Sequence, residues 1–143
     1  MKKVLCSLSL ILITLCNFTG IFAESGETVI TLNIAETYKI TIPADIEIIQ
    51  YRNVNYIGDI KVSEINLLPN RKLKVDISCN NKLTSPSGNT INYLLTDGTS
   101  EVESKTFTTD ETIGLYIEID NNSWDNLKAD KYSDTLTFNW YIE

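Results

Sequence analysis

In four stretches of this chain the apolar side chains recur at every second position. Leu73, Val75, Ile77 and Cys79 alternate with Lys72, Lys74, Asp76 and Ser78. Ile113, Leu115, Ile117 and Ile119 repeat the pattern, as do Leu136, Phe138, Trp140 and Ile142 against Thr135, Thr137, Asn139 and Tyr141. Thr28, Ile30, Leu32 and Ile34 form the fourth set, with Val29, Thr31 and Asn33 between them. A period of two predicts β-strands with one dry and one wet face, because successive side chains leave a strand on opposite sides. A helix needs a period near 3.6, and no segment keeps such a stripe for three turns. Only Asn126 to Lys131 has the makings of a single helical turn.

Weaker runs at Tyr38 to Ile42, Ile46 to Ile49, Val54 to Val62, Ile91 to Leu95 and Glu101 to Phe107 bring the expected strands to about eight or nine. Between them lie Pro43-Ala44, Pro69-Asn70, Asn80-Asn81, Ser85-Pro86-Ser87-Gly88 and Asp97-Gly98, all residue types that reverse a chain. Asp97-Gly98 predicts a tight hairpin that pairs Ile91 to Leu95 with Glu101 to Phe107. Many short strands at this spacing predict an all-β fold: an immunoglobulin-like antiparallel sandwich of about seven to nine strands, with a closed barrel as the second choice.

The start of the chain has a different character. Lys2 and Lys3 precede an apolar run from Val4 to Cys16, and a more polar stretch ends at Ala23. This is the tripartite pattern of an export signal, and it predicts cleavage between Ala23 and Glu24. The apolar run is shorter than the roughly 18 residues that span a bilayer as a helix, so the mature chain is expected to have no membrane span. The expected organisation is a signal peptide over 1–23 and one β-domain over 24–143. The expected location is outside the cell, secreted or wall-associated.

Charge and cysteine usage narrow the partners. Of 12 Lys and Arg residues, Lys2 and Lys3 fall in the leader, which leaves ten cations against 19 acids and a formal charge of −9. Such a surface repels phosphate backbones, so nucleic acid is not an expected partner. Cys6 and Cys16 lie in the leader as well, so Cys79 remains alone and no disulfide can form within the mature chain. A disulfide-free exported domain suits a bacterial surface.

The sequence offers little catalytic chemistry. It contains no histidine, which removes the usual neutral-pH base and the commonest nitrogen ligand for zinc. Cys79 stands in phase with Leu73, Val75 and Ile77 and reads as a packed thiol. Paired carboxylates remain, for instance Glu101 and Glu103 on one expected strand face, and are the candidates for carboxylate-based glycoside hydrolysis. Asp120, Asn122 and Asp125 lie in an oxygen-rich loop that is a calcium candidate without EF-hand spacing; no cofactor is expected. Trp124, in that loop, and Tyr141, on an outward face, are the candidate ligand-facing aromatics, since an exposed ring can stack on a sugar. For Trp124 the favoured reading is that it folds back to cap the core.

Tyr38-Lys39-Ile40-Thr41-Ile42-Pro43-Ala44-Asp45-Ile46 resembles an opening found in small exported surface proteins of Gram-positive bacteria. Leu127 to Phe138, with Tyr132-Ser133-Asp134-Thr135-Leu136-Thr137-Phe138 at its centre, resembles their closing strand. The same ending is similar to that of spore-coat U and fimbrial-type subunits and, more loosely, WxL wall-binding domains. The resemblance implies an extracellular, immunoglobulin-like module. The expected function is therefore non-enzymatic: adhesion to a surface protein or glycan, or self-association as a structural subunit of a surface assembly. A carbohydrate-binding module is the alternative, with a carboxylate glycosidase the remote one.

Overall fold

The computed structural model describes residues 27–125 and 127–143. Nine strands follow one another along the chain: β1 (Thr37–Thr41), β2 (Val54–Asn66), β3 (Leu73–Ser78), β4 (Lys82–Thr84), β5 (Thr90–Asn92), β6 (Leu94–Thr96), β7 (Ser104–Phe107), β8 (Glu111–Glu118) and β9 (Thr137–Ile142). They form a four-stranded sheet of order β1-β2-β8-β6, a three-stranded sheet of order β7-β3-β9 and the small β4-β5 pair. Every pairing is antiparallel. The compact unit runs from Ile34 to Glu143, and it is an all-β antiparallel sandwich.

One core joins the sheets. Ile60, Val62, Leu95, Leu115 and Ile117 come from the larger sheet, Leu73, Val75, Ile77 and Phe107 from the smaller, and Leu83 and Ile91 from the β4-β5 pair. Phe107, Leu73 and Leu115 are fully buried. Each such side chain contributes about 1.5–3 kcal/mol relative to an exposed position.

In β2 the apolar period breaks, and the structure shows why. Tyr56 pairs with Tyr116 but Gly58 pairs with Leu115, so Ile57 is an extra residue that shifts the phase of the strand. The inward positions are accordingly Asn55 and Ile57 before the bulge, and Ile60 and Val62 after it. Gly58 has φ +119, and a Cβ there would lie 2.9 Å from the Cβ of Pro43.

The Asp97-Gly98 turn forms, with the Asp97 N–H donating to the Ser100 carbonyl, but it does not join a paired hairpin as expected. Beyond the Thr96–Glu101 bridge and the Val102 N–H to Leu95 carbonyl bond, the flanks separate: β6 pairs with β8, and β7 pairs with β3. The turn is a corner that carries the chain from one sheet to the other. Its neighbours Leu95, Val102 and Phe107 are all buried, so this side of the sandwich is closed.

The opposite edges of the two sheets are β1 and β9. Their inward side chains Tyr38, Ile40, Phe138 and Ile142 pack on the core yet are only partly buried. Trp140, expected in the core, is 41% exposed although it pairs with the fully buried Val75 and shares its face. Its neighbour across the ladder covers one side; the other side of β9 has no strand among the described residues.

Three further expectations change. Thr28 to Ile34 alternates as cleanly as any strand, but residues 27–36 contain no strand, and Ile30 and Leu32 are 92% and 81% exposed. Ile46 to Ile49 is likewise not a strand: the Asn55 side chain accepts from the Ile49 N–H and donates to the Arg52 carbonyl, which fixes a loop instead. A 3₁₀ turn lies at Asn121–Ser123, where Asp120 caps it by accepting from the Asn122 N–H; of the turn expected over Asn126 to Lys131, Asn126 lies outside the described residues and 127–131 are not helical.

Gly58→Ala is expected to destabilise the fold by about 1–3 kcal/mol, since it adds both backbone strain and a clash with Pro43. Urea denaturation checks this; an unchanged midpoint contradicts the close approach.

Candidate functional site

The registers place the backbone groups of β9. Lys72 and Glu143 exchange both N–H···O bonds, and narrow pairs recur at every second residue of an antiparallel ladder. The pairs Lys74–Tyr141 and Asp76–Asn139 are therefore also bonded, and the N–H groups of Phe138, Trp140 and Ile142 point away from β3. That outer row has no strand partner among the described residues.

The sequence of this edge, Thr-Phe-Asn-Trp-Tyr-Ile, carries no charge and no proline. Soluble proteins usually blunt a sheet edge with lysine, proline, a bulge or shortness, because unpaired backbone groups recruit other strands. The other edges of the two sheets follow that rule. β1 has Lys39 and a register shift, β7 has Lys105, and β6 is three residues long. β9 is the unprotected edge among the described residues.

An aspartate anchors the strand's approach. Asp134 accepts from the Tyr93 hydroxyl (2.7 Å), the Asn80 side chain (2.8 Å) and N–H (3.1 Å), and the Thr135 N–H (2.8 Å). Just before it, Ser133 exchanges two backbone bonds with Thr84. Burial pushes the Asp134 carboxyl up, but the Tyr93 hydroxyl and the Asn80 donors outweigh it and hold it below the usual range. Burial first, then the bond to Asp134, pushes the Tyr93 phenol well above its ordinary value, so it stays a neutral donor. Nothing local in the sequence marks Asp134 for this role, since its partners lie up to 54 residues away.

Tyr141, on the outer face of β9, is 43% exposed, and the Lys74 Nζ sits 5.7 Å from its ring centroid. Trp124 packs into the core, as the capping reading expects, and not onto a ligand surface. It is buried, its ring lies 5.9 Å from that of Tyr51, and its indole N–H has no partner among the described residues. The two candidate aromatics are thus not brought together.

Among the described residues no three or more His, Cys, Asp or Glu side chains gather as a metal site, and the Asp120 carboxylate accepts from the Asn122 N–H in its cap. Glu101 and Glu103 flank the buried Val102 and line an open cleft of about 460 Å³ with Lys74, Asp76 and Cys79. Both glutamates are exposed to water, whereas a glycosidase's acid and base rely on two contrasting environments. Cys79, half-buried, points its thiol at the Asn81 side chain (3.0 Å). Ala23 and Glu24 lie outside the described residues. Among the described residues, no helix is long and apolar enough to cross a membrane.

No family model matches this chain, and no curated protein or solved structure matches it either.

Asp134→Ala should cost about 2–3 kcal/mol, because it strands the buried Tyr93 hydroxyl and removes charge-assisted bonds; Tyr93→Phe, which removes the stranded donor too, should cost less. Equilibrium unfolding of both variants checks the order. The Asp97 carboxylate is also held below the usual range, by the Lys105 ammonium first and then by Thr99 and Ser100. A depressed folded-state pKa gives stability that is present above the unfolded value and is lost as pH falls through the folded one. The melting temperature should therefore be nearly flat from neutrality down to about pH 5 and fall below about pH 4. Asp97→Asn combined with Asp134→Asn should flatten that fall, and an equally steep fall in the double variant contradicts the assignment.

Proposed function

We propose that this chain is an exported, non-enzymatic surface module that works as a structural subunit of a surface assembly or in adhesion, with β9 as its contact edge. The observation that carries the reading is the uncharged outer row of backbone groups along Thr137–Ile142, which has no strand partner among the described residues and includes the half-exposed Trp140. The amino-terminal Lys2-Lys3 and apolar run support export, and the acidic surface keeps the module from anionic polymers. The resemblance of the Tyr132 to Phe138 stretch to closing strands of exported surface proteins agrees with this role.

A carbohydrate-binding reading would use Tyr141. With Trp124 buried and Trp140 on the opposite face of β9, Tyr141 is the one ring on its face of that strand, and the other exposed tyrosines, Tyr51 and Tyr56, lie outside β9; the uncharged edge favours strand pairing over sugar stacking.

Fractionation of the producing cell, with mass spectrometry of the amino terminus, should find a product that starts at Glu24 in wall or medium. A full-length product in the membrane contradicts the export reading. On a glycan array the parent and Tyr141→Ala should behave alike; a glycan bound by the parent and lost in the variant would turn the assignment to carbohydrate binding.

A further inference from the structure

Away from β9, the outer face of the larger sheet gathers exposed apolar and aromatic side chains. The registers set Val54, Glu118 and Leu94 in one row across β2, β8 and β6, and Tyr56, Tyr116 and Thr96 in the next. Their neighbours Asn55, Ile117 and Leu95 point the other way, into the core. Val54 and Tyr56 are each 46% exposed and Leu94 is 50% exposed. The rings of Tyr56 and Tyr116 have centroids 5.5 Å apart, and both lean over Gly114. A Cβ at Gly114 would lie 3.3 Å from the Tyr116 hydroxyl and 3.5 Å from the Tyr56 ring. Glycine weakens the interior of a strand, and here the missing side chain makes room for two rings on the sheet.

Beside this face lies an open cleft of about 620 Å³, which shares Val54, Leu94 and Glu118 with the first row and adds Asn53, Asn92 and Asp120. Glu118 Oε1 accepts from the Thr96 hydroxyl at 2.8 Å, which fixes the carboxylate and leaves its second oxygen to accept. The Asn53 Oδ1 has no hydrogen-bond partner among the described residues. Rotation about its Cβ–Cγ bond brings either end of that amide to a hydroxyl in the cleft.

We infer that this face and its cleft bind an uncharged glycan, with Tyr56 as the stacking platform and Asn53, Asn92 and Glu118 as partners for its hydroxyls. A sugar presents an apolar C–H face and a rim of hydroxyls, so an exposed ring beside amides and a carboxylate matches both parts. Anionic polymers fit poorly, because Asp59, Glu118 and Asp120 surround the platform. Size argues against a protein partner. Same-face rows lie about 7 Å apart along a strand, and β2 and β6 lie about 10 Å apart across β8. The apolar floor is thus on the order of 100 Å², against the roughly 800 Å² that each partner of a stable protein pair buries. β9 belongs to the other sheet, so this binding goes beyond the assembly role and stands or falls separately from it.

The test applies the purified exported protein to an array of neutral and anionic glycans, then titrates the neutral glycan retained best. The parent should bind neutral glycans and no anionic ones. Tyr56→Ala should weaken binding about tenfold, and Tyr56→Trp should restore it. Leu94→Lys, which puts a charge in the floor, should weaken it similarly, while Tyr141→Ala should bind like the parent. Both changed positions are half exposed, so the melting temperature should stay close to the parent's. A parent that binds no neutral glycan, or anionic glycans only, overturns the inference. So does a folded Tyr56→Ala or Leu94→Lys variant with the parent's affinity, and either one decides the matter if the other fails to fold. A protein that starts at Glu24 in wall or medium and binds no glycan would remove the glycan face and leave the exported subunit. A full-length product in the membrane that binds a neutral glycan through Tyr56 would do the reverse.

Discussion

The sandwich depends on β3. Its side chains Leu73, Val75 and Ile77 are buried in the shared core, and its backbone holds β7 on one side and β9 on the other. The alternating pattern makes both jobs compatible: apolar groups enter the core, while Lys74 and Asp76 on the outer face stay hydrated and pair at 3.1 Å. The N–H groups divide as well. Ile77 donates to the Glu103 carbonyl on the β7 side, and Lys72 exchanges bonds with Glu143 on the β9 side.

From that central strand the molecule is asymmetric. Towards β7, the corner at Asp97 to Ser100 carries the chain between sheets, and the Lys105–Asp97 ion pair ties the corner to β7. Leu95, Val102 and Phe107 close the core there. Towards β9, the Asp134 clamp and the Lys72–Glu143 pair bracket the ladder to β3, and the strand's outer edge has no strand partner among the described residues. A firmly held strand with a free outer edge is what strand addition needs, because little ordering entropy remains to be lost on the acceptor side.

Much of this fold was legible in the sequence. The runs at Leu73, Ile113 and Leu136 became β3, β8 and β9 because one face of each meets the core. Thr28 to Ile34 shows the limit of that reading: alternation records which side chains prefer to be dry and does not supply a neighbouring strand. β2 was harder to read because the bulge at Ile57 and Gly58 shifts its phase midway. Asp97-Gly98 announced a reversal but not its destination, since turn chemistry acts over four residues and sheet membership over the whole chain. Trp140 departs from its expected burial for a related reason. Trp140 lies on an inward face but at an edge, while Trp124 lies in a loop that passes over the core. The Asp134 clamp had no local signal, and the open edge could be recognised only once the strand order was known.

Amide hydrogen exchange along β9 in dilute, monomeric protein tests the open edge most directly. The account predicts an alternating record: Asn139 and Tyr141, bonded to β3, are protected, while Phe138, Trp140 and Ile142 exchange freely. Uniform protection of all five amides in the monomer would mean that another part of the chain already covers β9, and would contradict the account.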